Sequence, residues 1–251
     1  MKKPTDMGKN ETGVGTAPVQ SRKTARGARE GGASLDGDFP AAHTRFYEQY
    51  QEELEPVGTM PPPSGLKGVA TAVAEKMKGH RGTVLLDKMG ERLAFERTGT
   101  RLYDGVLAKV ELAGSWVGGP TLDDLAEIRD QEAEHFALLV DAMRSLGADP
   151  TALTPGGDVA AVESLGIHNV IADPRTTVAQ CLHALLVVEL TDNAGWEMLA
   201  ELANDLGHSE LGAQFGAALV TEDQHLERIK TWLRAQRRSE AGVSVAASPA
   251  K

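Results

Sequence analysis

From about residue 83 onward the apolar residues recur every three or four positions, the repeat of an α-helix that buries one face. The repeat predicts four long helices, near 83–113, 121–146, 175–206 and 208–236. The stretch "GSWVGGP" (114–120) breaks the first from the second. Thr121 is a good N-cap, and Asp123 and Asp124 suit the positive end of the helix that follows. Gly147 and Gly207 stand where the second and third helices should stop. The joins within the first pair and within the second pair are short, so each pair should form an antiparallel hairpin. The link from 147 to 174, with "LTPGGD" and "ADPR", is long enough to run the length of a bundle. The expected architecture is an all-α four-helix bundle made of two hairpins and one long crossover.

The first third of the chain reads differently. Residues 1–41 hold few large apolar groups and predict a disordered tail, which cannot bury enough surface to offset its ordering entropy. Within it "RKTARGAR" (22–29) carries four basic residues, either a solvated tail or a weak arm for nucleic acid or a partner. "HTRFYEQYQEEL" predicts a short helix within 42–59, and "MPPPSG" (60–65) stops it. "LKGVATAVAEKMKG" (66–79) is amphipathic and is expected to dock on the main domain. The chain thus divides into a tail (1–41), a short helical extension (42–82), the bundle (83–237) and a second tail (238–251).

Each long helix has a seam of regularly spaced residues that should face the core. In order, the seams are Leu86, Met89, Leu93, Glu96, Thr100, Tyr103, Leu107, Val110; Leu125, Ile128, Glu132, His135, Leu139, Ala142, Leu146; Val178, Leu182, Leu185, Glu189, Asp192, Trp196, Leu199; and Leu211, Phe215, Ala218, Glu222, His225, Ile229, Trp232. All four are apolar at both ends and ionisable in the middle. Two middles read Glu-x-x-His, "EAEH" and "EDQH", whereas Glu134 falls off the seam. An unpaired buried carboxylate costs several kcal/mol or takes up a proton, so the pattern needs a reason. Two divalent cations would balance four glutamates, and two neutral imidazoles would complete six ligands. Residues three apart on a helix stand about 5–6 Å apart at Cβ, so the Glu and His of one motif can reach the same ion. The order Glu, Glu-x-x-His, Glu, Glu-x-x-His is also an internal repeat, with Glu132 36 residues after Glu96 and Glu222 33 after Glu189.

This motif order resembles the ferritin-like di-iron carboxylate superfamily, which includes ferritins, bacterioferritin, rubrerythrin and manganese catalase. The resemblance covers about 83–236 and implies a ferritin-like antiparallel bundle. It implies Glu96, Glu132, His135, Glu189, Glu222 and His225 as ligands of two iron ions, or of manganese. It also implies oxidation of ferrous iron by dioxygen or hydrogen peroxide, with an electron donor the sequence does not name. Tyr103, two turns after Glu96, resembles a seam tyrosine near the metals of bacterioferritin-like proteins, where it would donate an electron or a hydrogen bond. Asp192 holds the place three after Glu189 that His holds in the other motifs, either as a further ligand or as an acceptor for a ligand His N–H. Gly99 holds the same place after Glu96 and would leave room for dioxygen, peroxide or a small substrate, or serve close helix packing. A di-metal oxygenase or oxidase on an organic substrate, a manganese catalase, and a non-enzymatic iron-sequestering or DNA-binding stress protein stay open. So does a homodimer.

Composition narrows this further. The net charge of −10 argues against nucleic acid as a partner for the whole chain. Hydrophobic content of 41% supports a core, and 4% aromatics with abundant Ala and Leu favours helices over sheets. The single cysteine, Cys181, rules out an intrachain disulfide and the Cys-rich rubredoxin domain of rubrerythrin proper. No run of about 18 apolar residues exists and "MKKPTDMGKN" has no apolar signal region, so a cytoplasmic protein without a membrane partner is expected.

Overall fold

The computed structural model describes residues 18–30, 57–79 and 81–243. The chain divides into two units, one of them Lys3–Pro56 and the other containing everything from Val57 on. In the first unit the described element is helix α1, Pro18–Glu30. It corrects the expectation of a structureless tail at those positions. Pro18 stands at the first helical position, where its missing N–H costs nothing, and Gln, Arg, Lys and Ala are good helix formers. Most of the helix expected within 42–59 lies outside the described residues, and Val57–Thr59 are not helical.

Among the described residues of the second unit the regular elements are all helices: α2 (Gly65–Met77), α3 (Gly82–Ala113), α4 (Leu122–Ser145), α5 (Pro155–Glu163), α6 (Leu165–Ala172), α7 (Val178–Asp205) and α8 (Ser209–Glu240). The four long helices fall within a few residues of the predicted segments. Thr121 caps α4 in a reciprocal capping box with Asp124. Thr177 and Gln180 form the same box on α7, which starts later than the repeat suggested. Such caps contribute about 1 kcal/mol each. Gly147 and Gly207 end α4 and α7 with positive φ (75° and 81°), and the next residue's N–H bonds back five residues, Ala148 to Met143 and His208 to Ala203.

The long helices pack as a ring: α3 on α4, α4 on α8, α8 on α7 and α7 on α3. Cross-helix pairs fix the directions. Arg228 reaches Asp124 while His225 reaches Gln131, and Arg92 reaches Asp192 while Tyr103 reaches Glu189. Both neighbouring pairs are therefore antiparallel. The crossover contains two short helices that the periodicity did not reveal. α5 packs on α3, and α6 packs on α3 and α7. Lys109 ties the end of the crossover down by donating to the carbonyls of Asp173 (2.7 Å) and Thr176 (3.1 Å).

Because α3 is packed from several sides, its buried stripe is wider than the predicted seam. Leu85, Gly99 and Val106 are buried, whereas Leu86, Thr100 and Leu107 are partly exposed. The core has two apolar clusters. One gathers Leu102, Tyr103, Leu125, Ile128, Leu182, Leu185 and Ile229; the other gathers Leu85, Met89, Leu139, Met143, Trp196 and Phe215. Each large apolar side chain contributes about 1.5–3 kcal/mol by leaving water. Between the two clusters lies a layer of buried ionisable groups.

Candidate metal centre

Each long helix brings one glutamate to that layer: Glu96 from α3, Glu132 from α4, Glu189 from α7 and Glu222 from α8, none more than 2% exposed. His135 and His225 are buried beside them, and Glu134 is exposed. One donor atom from each of Glu132, Glu189, Glu222 and His225 lies within 4.8 Å of the others. The same holds for Glu96, His135 and Glu222, and for Glu96, Glu132, Asp192 and Glu222. All six side chains singled out in the sequence therefore meet in one place, and Glu222 belongs to every set. Among the described residues His168, His183 and His208 join none of them; His43 and His80 lie outside the described residues.

The histidines turn the same nitrogen inward. His135 Nδ1 is 2.6 Å from Glu222 Oε1 and 3.8 Å from Glu96 Oε2. His225 Nδ1 is 3.3 Å from Glu222, 3.4 Å from Glu132 and 3.8 Å from Glu189. Outward, His225 Nε2 meets Gln131 Oε1 at 2.8 Å. An amide oxygen only accepts, so with the side chain so oriented Nε2 donates to it, and Nδ1 is the nitrogen turned to the centre. Glu96 Oε2, Glu189 Oε2, Glu222 Oε1 and His135 Nδ1 are buried without an aligned hydrogen bond. Orphaned buried acceptors cost about 1–3 kcal/mol each, more when charged. Their convergence on one interior point is the environment a cation would satisfy. The cluster could hold metal ions.

Proton affinities reflect the crowding. Burial, then the Glu222 charge, pushes Glu96 up to about 7. Burial with neighbouring carboxylates raises Glu132 and Glu189 well above the ordinary range. Glu222 goes the other way: burial would raise it, but the close approach and charge of His135 and His225 outweigh that and hold it at about 2. For His135 burial favours the neutral ring, yet contacts with Glu222 and Glu96 win and raise its affinity for a proton. Without metal, the centre stores protons instead of bare charge.

Several groups beside the centre support it. Trp196, assigned there to the core, also donates from Nε1 to Glu96 Oε1 at 2.8 Å. Tyr103 is fully buried and donates to Glu189. Asp192 accepts from the guanidinium of Arg92, and not from a ligand histidine. Arg92 falls off the predicted seam, yet it is buried, stacked 4.3 Å over Phe95. It fits because α7 has no side chain at Gly195, where a Cβ would come within 2.6 Å of the guanidinium.

Gly99 is explained by its neighbour. A Cβ there would stand 2.3 Å from Glu132 Oε2, so the space beside Glu96 is filled by the Glu132 carboxylate. Gly99→Ala should displace that carboxylate and lower the metal bound per chain, even though alanine favours the helix by about 1 kcal/mol. Elemental analysis of the purified variant checks this; unchanged metal content would mean that Glu132 does not need the space.

Comparison with protein-family models, with curated proteins and with solved structures returned no match.

Proposed function

We propose that this chain is a ferritin-like di-metal carboxylate protein that oxidises ferrous iron with dioxygen or hydrogen peroxide. The observation that carries the reading is the convergence of two Glu-x-x-His motifs and two further glutamates in one buried layer. Two hairpins joined by a crossover, with every neighbouring pair of long helices in contact, support the ferritin-like connectivity. Glu96 and His135 would hold one ion and Glu189 and His225 the other. Glu222, which belongs to both histidine sets, and Glu132 would contribute to both. Four carboxylates balance two divalent ions, while Asp192 is already neutralised by Arg92. An oxygen-rich set with two imidazoles suits iron, with manganese as the alternative. Bound iron would supply one-electron redox chemistry to a site otherwise made of acids and bases.

The protein's own groups position and protect the centre. Burial, then the charges of Glu189 and Glu132, raises Tyr103 well above its ordinary range, so its hydroxyl keeps its proton and anchors Glu189. Trp196 holds Glu96 in the same way. With Glu132 in the space at Gly99, nothing there favours an oxygenase acting on an organic substrate.

Loading the protein with ferrous iron without air, then adding peroxide or air, tests the reading. Oxidation should be faster than for free iron in the same buffer, and an equal rate would leave only metal binding. Tyr103→Phe should keep its metal and react at a changed rate, because Glu189 loses its anchor. Loss of metal would make Tyr103 a structural part of the site.

A further inference from the structure

Helix α2 sits on the bundle by the wrong face. Its sequence pattern expects docking through the apolar stripe, yet Leu66 (90%), Val69 (51%), Val73 (54%) and Met77 (84%) are exposed. The residues turned inward are Gly68 and Glu75. The orientation is locked. A Cβ at Gly68 would stand 2.3 Å from the carbonyl oxygen of Gly147, and the Ser64 N–H donates to that same oxygen at 2.8 Å. Rolling α2 to bury its stripe would swing a side chain into the end of α4. Glu75 is held inward by Lys78 at 3.0 Å, with His208 at 4.0 Å. The four apolar residues at 66, 69, 73 and 77 follow the helical repeat and form one continuous strip.

The charges beside the strip are all of one sign. At 100° per residue Lys67 flanks one edge and Lys76 the other, both exposed, while Lys78 just past the helix end is paired with Glu75. The helix's one acid, Glu75, faces the opposite way. An aliphatic strip with a lysine on each edge is the layout of a helix lying in a lipid interface, where the lysine stems spread over apolar surface and the ammonium groups reach anionic headgroups. We propose that α2 is a docking face for an anionic lipid surface. A second copy fits poorly, because stripe against stripe would bring lysines together. Nucleic acid would match the lysines and leave the strip in water. A protein partner is the nearest rival, but protein interfaces favour aromatic residues, Met and Arg and avoid Lys, and of the favoured types α2 has only Met77. No helix of the described residues is long and apolar enough to cross a membrane, so contact would be at the surface.

Co-sedimentation of the full chain with vesicles tests this. Binding to phosphatidylcholine vesicles containing phosphatidylglycerol should exceed binding to phosphatidylcholine alone. It should fall as salt shortens the reach of the charges. The double substitution Leu66→Asp, Met77→Asp should cut the bound fraction by about tenfold or more, because it places charge where aliphatic groups enter the interface. Both positions are exposed, and an unchanged circular dichroism spectrum verifies the fold. Met198→Asp, on the exposed side of α7, should leave binding unchanged. Equal binding to both vesicle types, or undiminished binding by the double variant, overturns the proposal. So does a lipid-free dimer that the double variant dissolves while vesicles stay unbound, which would assign the stripe to a second copy. Binding of an acidic amphipathic peptide without vesicle binding would assign it to a protein partner.

Discussion

Ferrous or manganous ions should raise the melting temperature of the metal-free protein, and more so at pH 7 than at pH 5. The carboxylates explain both parts. Glu96 is pushed up to about 7 in the fold against 4.5 in a free chain, and Glu132 and Glu189 are raised in the same direction. Between those values the folded protein holds protons that the unfolded chain has released, so its stability falls as pH rises through the window from 4.5 to about 7. His135 acts in the same direction: its raised affinity stabilises the fold below its ordinary 6.5 and that gain is lost as pH climbs through the folded value. Glu222, held at about 2, contributes above 4.5 and loses its contribution only as pH falls toward 2. Metal must displace the stored protons, so its affinity rises with pH while the metal-free fold weakens. At a hundred times the dissociation constant a ligand adds about 2.7 kcal/mol. In a domain of this size that is a shift of roughly 5–10 °C. Scanning calorimetry at the two pH values, with and without metal, checks both the shift and its sign.

Arg92→Leu should be among the most destabilising single changes away from the ligands. Asp192 is 1% exposed and Arg92 3%, and each is the other's ion partner. Removing one member of such a pair strands the other charge in the interior, at a cost of about 3–5 kcal/mol. The Asp192→Leu variant should suffer comparably, while the double variant should recover much of the loss, because the cost lies in the orphaned charge. Urea unfolding of the three variants measures the coupling. If the single losses simply add, the pair is not the source of the effect.

Periodicity made the long helices legible and distinguished Glu132 from Glu134 two residues away, one buried and one exposed. It could do so because a polar residue on an apolar stripe contradicts its surroundings. It failed where position on one helix says nothing about reach to another. Arg92 lies off the seam of α3 and enters the core only because Gly195 leaves a slot on α7. Gln131 and Trp196 acquire their roles from α8 and α3, through contacts across the bundle. The crossover helices were hidden by their length, since 9 and 8 residues hold too few turns to establish a repeat. α2 docks on the bundle as its pattern suggested, but not by its apolar face, because the Gly68–Gly147 approach that sets the helix's rotation is a backbone contact with no hydropathy signal.

The most direct test is metal content. Wild-type protein, Glu132→Ala and Glu134→Ala, each reconstituted with ferrous iron and freed of excess, should be compared by elemental analysis. The account predicts two ions per chain in the wild type and in Glu134→Ala, and loss of tight binding in Glu132→Ala. Equal metal in both variants, or none in the wild type, would contradict the assignment of the buried layer as a metal centre.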